Sequence, residues 1–341
     1  MKHLIVGAGA TFAEALALGN PVEKCPPLIR DFARKMWENY TPHPYLEEYL
    51  RRIGHPEFDP RDPRILFFEL EEKGITNVER FMEFVWENRD ARFPVSETPP
   101  AGYISGLHIR MSGTSYGPEG ERPTTFWNDL QYHGIGNALT FYLIQCFHEN
   151  GVGFRSLELT RSVAAKYGGG DLILNLNYDT VFEIALSQIG RPFVYAPNQP
   201  KEDELVVCKP HGSINLVTNE TAFTFGQPEW WGIPEPQGFR SFSGFVPPRL
   251  NKKYAQHPMA KMILDAARNR HPRHIAMWGV GLTDSDADLI DLYSVWVKRA
   301  GSVDIINPAF EVAEKARAIF GRPVRHFADV AHWNASDPSS G

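Results

Sequence analysis

Short apolar runs recur along the chain, and in its second half they alternate with segments of helical periodicity. We interpret these runs as strands: residues 2–6, 171–176, 191–195, 205–209, 274–278, 302–306 and 324–327. Apolar residues at helical spacing predict helices between the later runs, at residues 180–188, 258–269, 287–300 and 310–320. Strands that alternate with helices are typical of a parallel sheet, and the uninterrupted apolar stretch at 172–174 suits a strand covered on both faces. The pattern predicts an α/β fold with a Rossmann-like, doubly wound, mainly parallel sheet.

A long, mostly helical stretch separates the first predicted strand from the second. Apolar residues at helical spacing predict helices at 65–72, 77–88 and 126–150, and Asn77 is placed to cap the second. Residues 92–123 are rich in Gly, Pro, Ser and Thr, which predicts a loop within this stretch. We therefore expect a Rossmann-like domain of residues 1–25 and 168–330, a helical insertion at 26–167, and a C-terminal tail at 331–341.

Composition narrows the class of protein without naming it. The 341 residues are 43% hydrophobic and 22% charged, which is typical of a globular chain with no need of disulfides or metal for folding. A net charge of −6 argues against general affinity for nucleic acid or anionic membranes. Cys25, Cys146 and Cys208 are far apart and form no Cys-x-x-Cys pair, as expected of buried thiols in a reducing compartment. With no signal-peptide or membrane-spanning pattern, we expect a cytoplasmic protein.

Polar and glycine-rich segments follow five of the predicted strands. They lie at residues 7–11, 175–179, 209–213, 279–284 and 307–308. Ligands of open parallel sheets bind beyond the carboxyl ends of the strands, so these segments are expected to meet in one crevice. The glycine turn at 7–11 suits a diphosphate, although it lacks the third glycine of the dehydrogenase fingerprint. Asp179 also fits a helix cap, and His211 fits either a structural role or a base near neutral pH.

Taken together, these segments resemble the sirtuin superfamily, and more specifically the divergent SIR2-like domains of bacterial defence proteins. Residues 7–11 (GAGAT) match the phosphate loop of that family, and residues 177–179 (NYD) with Glu183 resemble its Asn-x-Asp motif. His211 and the glycine after it match the catalytic turn. Further similarities are the glycine turn at 279–282 (GVGL), the late asparagine Asn307 and the proline segment at 246–248 before Lys252.

The chain also departs from the protein-deacylating sirtuins. Three scattered cysteines cannot supply their four-cysteine zinc module, and the usual continuation of the phosphate loop is absent. Asn175 stands where the family usually has threonine. These departures argue against acyl-lysine recognition, but cleavage of NAD itself depends on neither feature.

The resemblance implies scission of the nicotinamide–ribose bond of NAD, with NAD as the substrate and no zinc ion. Asn177 would hold the nicotinamide ribose and orient a water, because an amide offers both a donor and an acceptor. His211 would contact the ribose hydroxyls as a general base, and Asp179 would accept from the carboxamide or fix the loop. The resemblance places Gly7, Ala8, Gly9 and Thr11 at the diphosphate, and Gly279, Gly281 and Asn307 on the adenosine side.

The leading hypothesis is an NAD glycohydrolase that yields nicotinamide and ADP-ribose. The resemblance suggests a role in antiviral abortive infection, with a homo-oligomer or a partner ATPase or nuclease releasing the activity, and no binding of nucleic acid or membranes. One alternative is an NAD-dependent protein deacylase or ADP-ribosyltransferase. The other is a catalytically silent sensor or assembly subunit that binds NAD or ADP-ribose.

Two further groups of residues favour structural roles. Four acidic residues flank the start of the predicted helix at 287–300: Asp284, Asp286, Asp288 and Asp291. Carboxylates in a first turn are what the helix dipole favours, so we interpret them as stabilising the helix. His271 and His274 lack a nearby third ligand and do not indicate a metal site.

Overall fold

The computed structural model describes residues 1–38, 45–59, 61–88, 135–136, 138–149, 153–218, 223–229, 240–241 and 246–336. The chain divides into two compact units. The first comprises Met1–Pro26, Tyr142–Val246 and Lys252–Gly341, and the second comprises Pro27–Phe141 and Pro247–Asn251. The predicted loop at 92–123 and the first part of the predicted helix at 126–150 lie outside the described residues.

The described strands and helices follow the predicted alternation. The strands are β1 (Lys2–Val6), β2 (His148–Glu149), β3 (Gly153–Phe154), β4 (Leu172–Asn175), β5 (Phe193–Tyr195), β6 (Leu205–Cys208), β7 (Leu216–Thr218), β8 (Phe223–Phe225), β9 (Arg240–Ser241), β10 (His274–Trp278), β11 (Ser302–Ile306) and β12 (Arg325–Phe327). The helices are α1 (Ala8–Ala17), α2 (Phe32–Met36), α3 (Tyr45–Arg52), α4 (Arg64–Glu72), α5 (Val78–Glu87), α6 (Ala138–Phe147), α7 (Glu158–Ala164), α8 (Val181–Gln188), α9 (Pro258–Arg268), α10 (Ala287–Val297), α11 (Phe310–Phe320) and α12 (Val330–Ala335).

Seven of the described strands form one parallel sheet in the order β12-β11-β10-β1-β4-β6-β5. The predicted α/β fold with a Rossmann-like parallel sheet is confirmed. After β1 the chain builds one half of the sheet through β4, β5 and β6, and then crosses to β10 on the other side of β1. The reversal of strand order therefore lies at β1, which is where such folds form their ligand crevice.

Helices cover both faces of the sheet because successive side chains of each strand point to opposite sides. Ile5 and its neighbours on one face pack with buried residues of α9, α10 and α11, such as Leu289. Leu4 faces the other way and packs with α1, α7, α8 and α12, where Phe182 and Trp333 are buried. None of the helices in the described ranges is long and apolar enough to cross a membrane.

Two small antiparallel sheets were not predicted from the sequence. One pairs β2 with β3, and the other has the order β8-β7-β9. The first corrects the predicted helix at 126–150, since α6 ends at Phe147 and the chain turns into β2.

The second unit packs its helices around aromatic side chains. Trp37, Tyr49, Phe67 and Phe81 are all buried, and the Phe81 ring lies edge-on to Trp37 at a centroid distance of 5.0 Å. Helix α5 begins as predicted, because the Asn77 side chain accepts a hydrogen bond from the amide of Arg80 at 2.9 Å. The returning segment 247–251 belongs to this unit and contacts α5, where the Asn251 amide donates to Glu83 Oε2 at 3.1 Å.

Candidate functional site

The predicted strand-end segments begin at one edge of the sheet. Val6 is paired with Asn175 on one side and with Trp278 on the other, so the three strands end level with one another. Backbone hydrogen bonds continue one residue further, from Gly7 to the Trp278 carbonyl at 2.9 Å and from Leu176 to the Val6 carbonyl at 2.9 Å. The segments after β1, β4 and β10 are therefore brought together as expected.

Glycines allow the loop after β10 to lie directly against the start of α1. Gly279 has a φ of +65°, and a Cβ added there would lie 2.2 Å from the Ala10 nitrogen. A Cβ on Gly7 would lie 2.5 Å from the Gly279 carbonyl oxygen, and that oxygen accepts from the Gly9 amide at 3.1 Å. Only glycine fits positions 7 and 279, because a side chain would collide with backbone that cannot rotate away.

This contact occupies part of the predicted phosphate loop. The amide of Gly9 is bound to Gly279, and the amide of Ala10 donates to the Gly7 carbonyl at 2.9 Å. Ala8, the first residue of α1, is exposed. The helix dipole favours an anion beside this first turn. Fewer backbone amides can bind that anion than the sequence suggested, because the amides of Gly9 and Ala10 are already used.

Asn177 and Asp179 are joined through the buried hydroxyl of Thr11. The Asn177 Nδ2 donates to Thr11 Oγ1 at 2.9 Å and to the Gly7 carbonyl at 3.1 Å, and Thr11 donates to Asp179 Oδ2 at 2.9 Å. A carbonyl only accepts, so the contact with Gly7 fixes which end of the amide is the nitrogen. Among the described residues, no hydrogen bond engages Oδ1 of Asn177, so the amide retains an acceptor.

A buried ion pair lies beneath this network. Lys209 Nζ is 3.1 Å from Glu183 Oε1, and both side chains are completely buried. Lys209 also donates to the carbonyl of Asp179 at 2.5 Å. Asn175 connects the pair to the site, since its Nδ2 donates to both Glu183 oxygens and its Oδ1 accepts from the Asn177 amide at 3.0 Å.

The predicted helix cap is displaced by one residue: Thr180 stands at the N-cap position of α8, while Asp179 still accepts from an amide of its first turn. Its Oδ1 accepts from the Val181 amide at 3.0 Å while Oδ2 accepts from Thr11. Burial raises the pKa of Asp179, and the charge of Lys209 opposes that rise. The carboxyl therefore serves the helix and the loop of Asn177 at the same time.

His211 lies on a tight turn after β6. Pro210 precedes it, and the following Gly212 has a φ of +87° and donates to the Lys209 carbonyl at 3.0 Å. His211 Nδ1 donates to the Leu176 carbonyl at 2.7 Å, which places the imidazole beside the loop that carries Asn177. Burial, assisted by the charge of Lys252, lowers the pKa of His211 to about 4. The ring is therefore neutral at pH 7, with its proton on Nδ1 and its lone pair on Nε2.

Sequence reasoning missed the groups that surround Nε2. The Tyr254 hydroxyl contacts His211 Nε2, and it lies 3.4 Å from Asp286 Oδ1. Asp286 accepts from Lys252 Nζ at 2.8 Å and from the Thr283 hydroxyl at 2.9 Å. Lys252 was noticed only as the end of the proline segment, and no motif marks Tyr254.

Asp286 corrects the prediction that its acidic group only favours a helix dipole. It does immediately precede α10, but its carboxylate pairs with Lys252. Desolvation opposes ionisation of Asp286, yet the charge of Lys252 and the hydrogen bonds from Lys252 and Thr283 hold its pKa below the usual value. The backbone position was predicted correctly, whereas the contacts across the fold were not.

The remaining predicted residues are Gly279 and Gly281, in the turn after β10, and Asn307, which directly follows β11. Asn307 Nδ2 donates to the Val280 carbonyl at 3.3 Å, and its Oδ1 accepts from the Ala309 amide at 2.9 Å. These contacts join Asn307 to the Gly279 turn, and neither reaches Asn177 or His211. A Cβ on Gly281 would make only ordinary contact, 3.7 Å from the Thr283 methyl, so space does not demand glycine there.

No protein-family model and no curated protein matches the chain. The residues at this end of the sheet are therefore the guide to its chemistry. A neutral imidazole can take a proton, and the Asn177 carbonyl oxygen can hold a hydroxyl or a water. The first turn of α1 favours an anionic group.

Proposed function

We propose that this chain cleaves the nicotinamide–ribose bond of NAD, with release of nicotinamide and ADP-ribose. The observation that carries the proposal is the meeting of Asn177, neutral His211 and the glycine turn at one end of the sheet. The likeness of these segments to SIR2-like domains supports the same chemistry.

The reaction consumes one water. The bond between C1′ of the ribose and the pyridinium nitrogen breaks, and its electron pair leaves with nicotinamide, which departs uncharged. The water oxygen bonds to C1′, and the proton it loses passes to the general base and then to solvent. Because C1′ becomes cationic as the bond breaks, catalysis rests on placing the water and removing its proton.

Asn177 would orient that water. Its Nδ2 is fixed by Gly7 and Thr11, so the amide plane cannot turn, and Oδ1 remains as an acceptor for a water or a ribose hydroxyl. Asp179 acts through Thr11 as a positioning residue for Asn177. The contacts favour its loop-fixing role over binding of the carboxamide, since both carboxylate oxygens already accept hydrogen bonds.

His211 would be the general base. With Nδ1 donating to Leu176, Nε2 holds the only lone pair able to take a proton. A pKa near 4 keeps the imidazole unprotonated at neutral pH, although it also makes the base weak. The diphosphate of NAD would lie at the first turn of α1, beside Ala8.

The biological setting is proposed on the resemblance alone. It is antiviral defence in the cytoplasm by a homo-oligomer whose NAD cleavage is released by a partner ATPase or nuclease.

The test is the release of free nicotinamide from NAD by the purified full chain, measured by chromatography. We expect Asn177→Ala and His211→Ala each to lower the rate by about a hundredfold or more. Asn269→Ala is the matched control, because this exposed asparagine ends α9 and is not placed in the site. Turnover that survives both site substitutions would refute the assigned roles.

The products separate the other two candidate functions. An acyl-ADP-ribose or an ADP-ribosylated protein, in place of free ADP-ribose, would show transfer instead of hydrolysis. Binding of NAD without any release of nicotinamide would show a sensor or assembly subunit.

A further inference from the structure

Both ring nitrogens of His211 are already engaged. Nδ1 donates to the carbonyl of Leu176, and Nε2 is in contact with the hydroxyl of Tyr254. A neutral imidazole has one donor and one acceptor, so these two contacts use its whole capacity. No substrate hydroxyl or water can bind a ring nitrogen of His211 while the Tyr254 hydroxyl stays in place.

The Tyr254 hydroxyl cannot itself take the place of the base. The Tyr254 side chain is 1% exposed and belongs to the apolar cluster beneath α9 and α10, with its ring nearly parallel to the His211 ring at an interplanar angle of 11°. A ribose hydroxyl would have to reach Tyr254 Oη through this packing in order to pass a proton along. Separation of Tyr254 from His211 is therefore required before substrate can meet the base.

Polar contacts hold the short segment that carries Tyr254. The Tyr254 amide donates to Asp288 Oδ2 at 3.0 Å, and Lys252 Nζ donates to Asp286 Oδ1 at 2.8 Å. Tyr254 follows by three residues the stretch 247–251, which belongs to the helical unit and is bound to Glu83 of α5. Carboxylates at the start of α10 therefore hold this segment at both Lys252 and Tyr254.

We infer that Tyr254 masks His211 in this state of the chain, and that the base becomes available when the segment 252–256 withdraws. The inference rests on the proposed function for its meaning, because it names how that same site is regulated. The masking itself is a statement about His211 Nε2 and can be measured without NAD.

The first measurement is the reaction of His211 with diethyl pyrocarbonate at pH 7, mapped on the full chain by mass spectrometry. His332, whose side chain is 72% exposed, provides the reference rate within the same molecule. We expect His211 to react much more slowly than His332 in the wild-type chain. Tyr254→Phe should raise the rate at His211 about tenfold, because it removes the hydroxyl that contacts His211 Nε2 and lies 3.4 Å from Asp286 Oδ1.

Tyr293→Phe is the matched control. Tyr293 is also a buried tyrosine, but its hydroxyl has no hydrogen-bond partner in the described part of the chain, so its loss should leave the His211 rate unchanged. Lys252→Met is a second test that leaves the Tyr254 ring intact. It removes the contact with Asp286 and should also accelerate labelling of His211. Thermal melting shows whether each variant is folded.

The same variants are then assayed for release of nicotinamide. Faster labelling together with faster turnover in Tyr254→Phe is the expected result. Wild-type labelling of His211 as fast as His332, or no acceleration in folded Tyr254→Phe and Lys252→Met, would overturn the masking. Faster labelling with slower turnover would overturn the inference that Tyr254 withholds the base from substrate, since Tyr254 would then assist catalysis. Faster labelling with no nicotinamide from any variant would support the masking while refuting the proposed NAD cleavage.

Discussion

Removal of one charge from the buried pair beneath the site should destabilise the chain strongly. Lys209→Met keeps a long side chain but leaves the Glu183 carboxylate without its cation in a position closed to water. The substitution also deprives the Asp179 carbonyl of a donor at 2.5 Å. We therefore expect the loss to exceed that of one hydrogen bond.

The size of the expected loss of stability depends on how deeply the ion pair is buried, and not on the distance between its charged atoms. Breaking a buried ion pair by removing one partner costs about 3–5 kcal/mol of the free energy of unfolding, because the other charge stays desolvated. Lys261 and Asp265 form a shorter pair at 2.6 Å, but their side chains are 57% and 55% exposed. Such a surface pair contributes about 0–1 kcal/mol, so Lys261→Met is the matched control.

The assay is urea unfolding followed by circular dichroism, with thermal melting as a second measure. Lys209→Met should lower the melting temperature by about 10 °C, and Lys261→Met by about 2 °C or less. The double variant Lys209→Met/Glu183→Gln should recover part of the loss, since no uncompensated charge remains. Equal effects of the two lysine substitutions would refute the argument from burial.

Two further predictions concern the glycine contact and the pH dependence. Gly279→Ala should destabilise the chain by about 2 kcal/mol or more, as measured by urea unfolding, because its Cβ would collide with the Ala10 nitrogen at a φ of +65°. Gly281→Ala should be tolerated, and similar losses in both variants would contradict the steric argument. The pKa of His211 is lowered from 6.5 to about 4, so the stability linked to its neutral form is present above pH 6.5 and falls as the pH drops toward 4. Between pH 7 and pH 4 the wild-type chain should lose about 3 kcal/mol more than His211→Gln, and parallel unfolding curves would contradict this.

The sheet was predictable because its strands are continuous apolar runs. Strands β1, β10 and β11 begin and end at the predicted residues, and both of their faces are buried by helices. The small sheets were not predictable in the same way. Strands β2 and β3 have two residues each, too few for periodicity to register.

The candidate site was predictable only where strand ends define it. Asn177, Asp179 and His211 were found because each lies within a few residues of the carboxyl end of a parallel strand. Tyr254 and Asp286 reach the site from elsewhere in the chain, through contacts that no local pattern encodes. Asp286 illustrates the difficulty, since an acidic residue at the start of a helix is consistent both with stabilisation by the helix dipole and with a role in the candidate site.

The position of β1 in the sheet has a consequence for how the chain is made. β1 lies at the centre, paired with β4 about 170 residues later and with β10 about 270 residues later. During synthesis this apolar strand emerges long before either partner, with both of its backbone edges unpaired. The glycine contact between α1 and the loop after β10 closes only after Gly279 has been synthesised. A chain that has not yet made β10 therefore has no assembled crevice. Its apolar strand β1 has to be shielded during synthesis as well as in the folded protein.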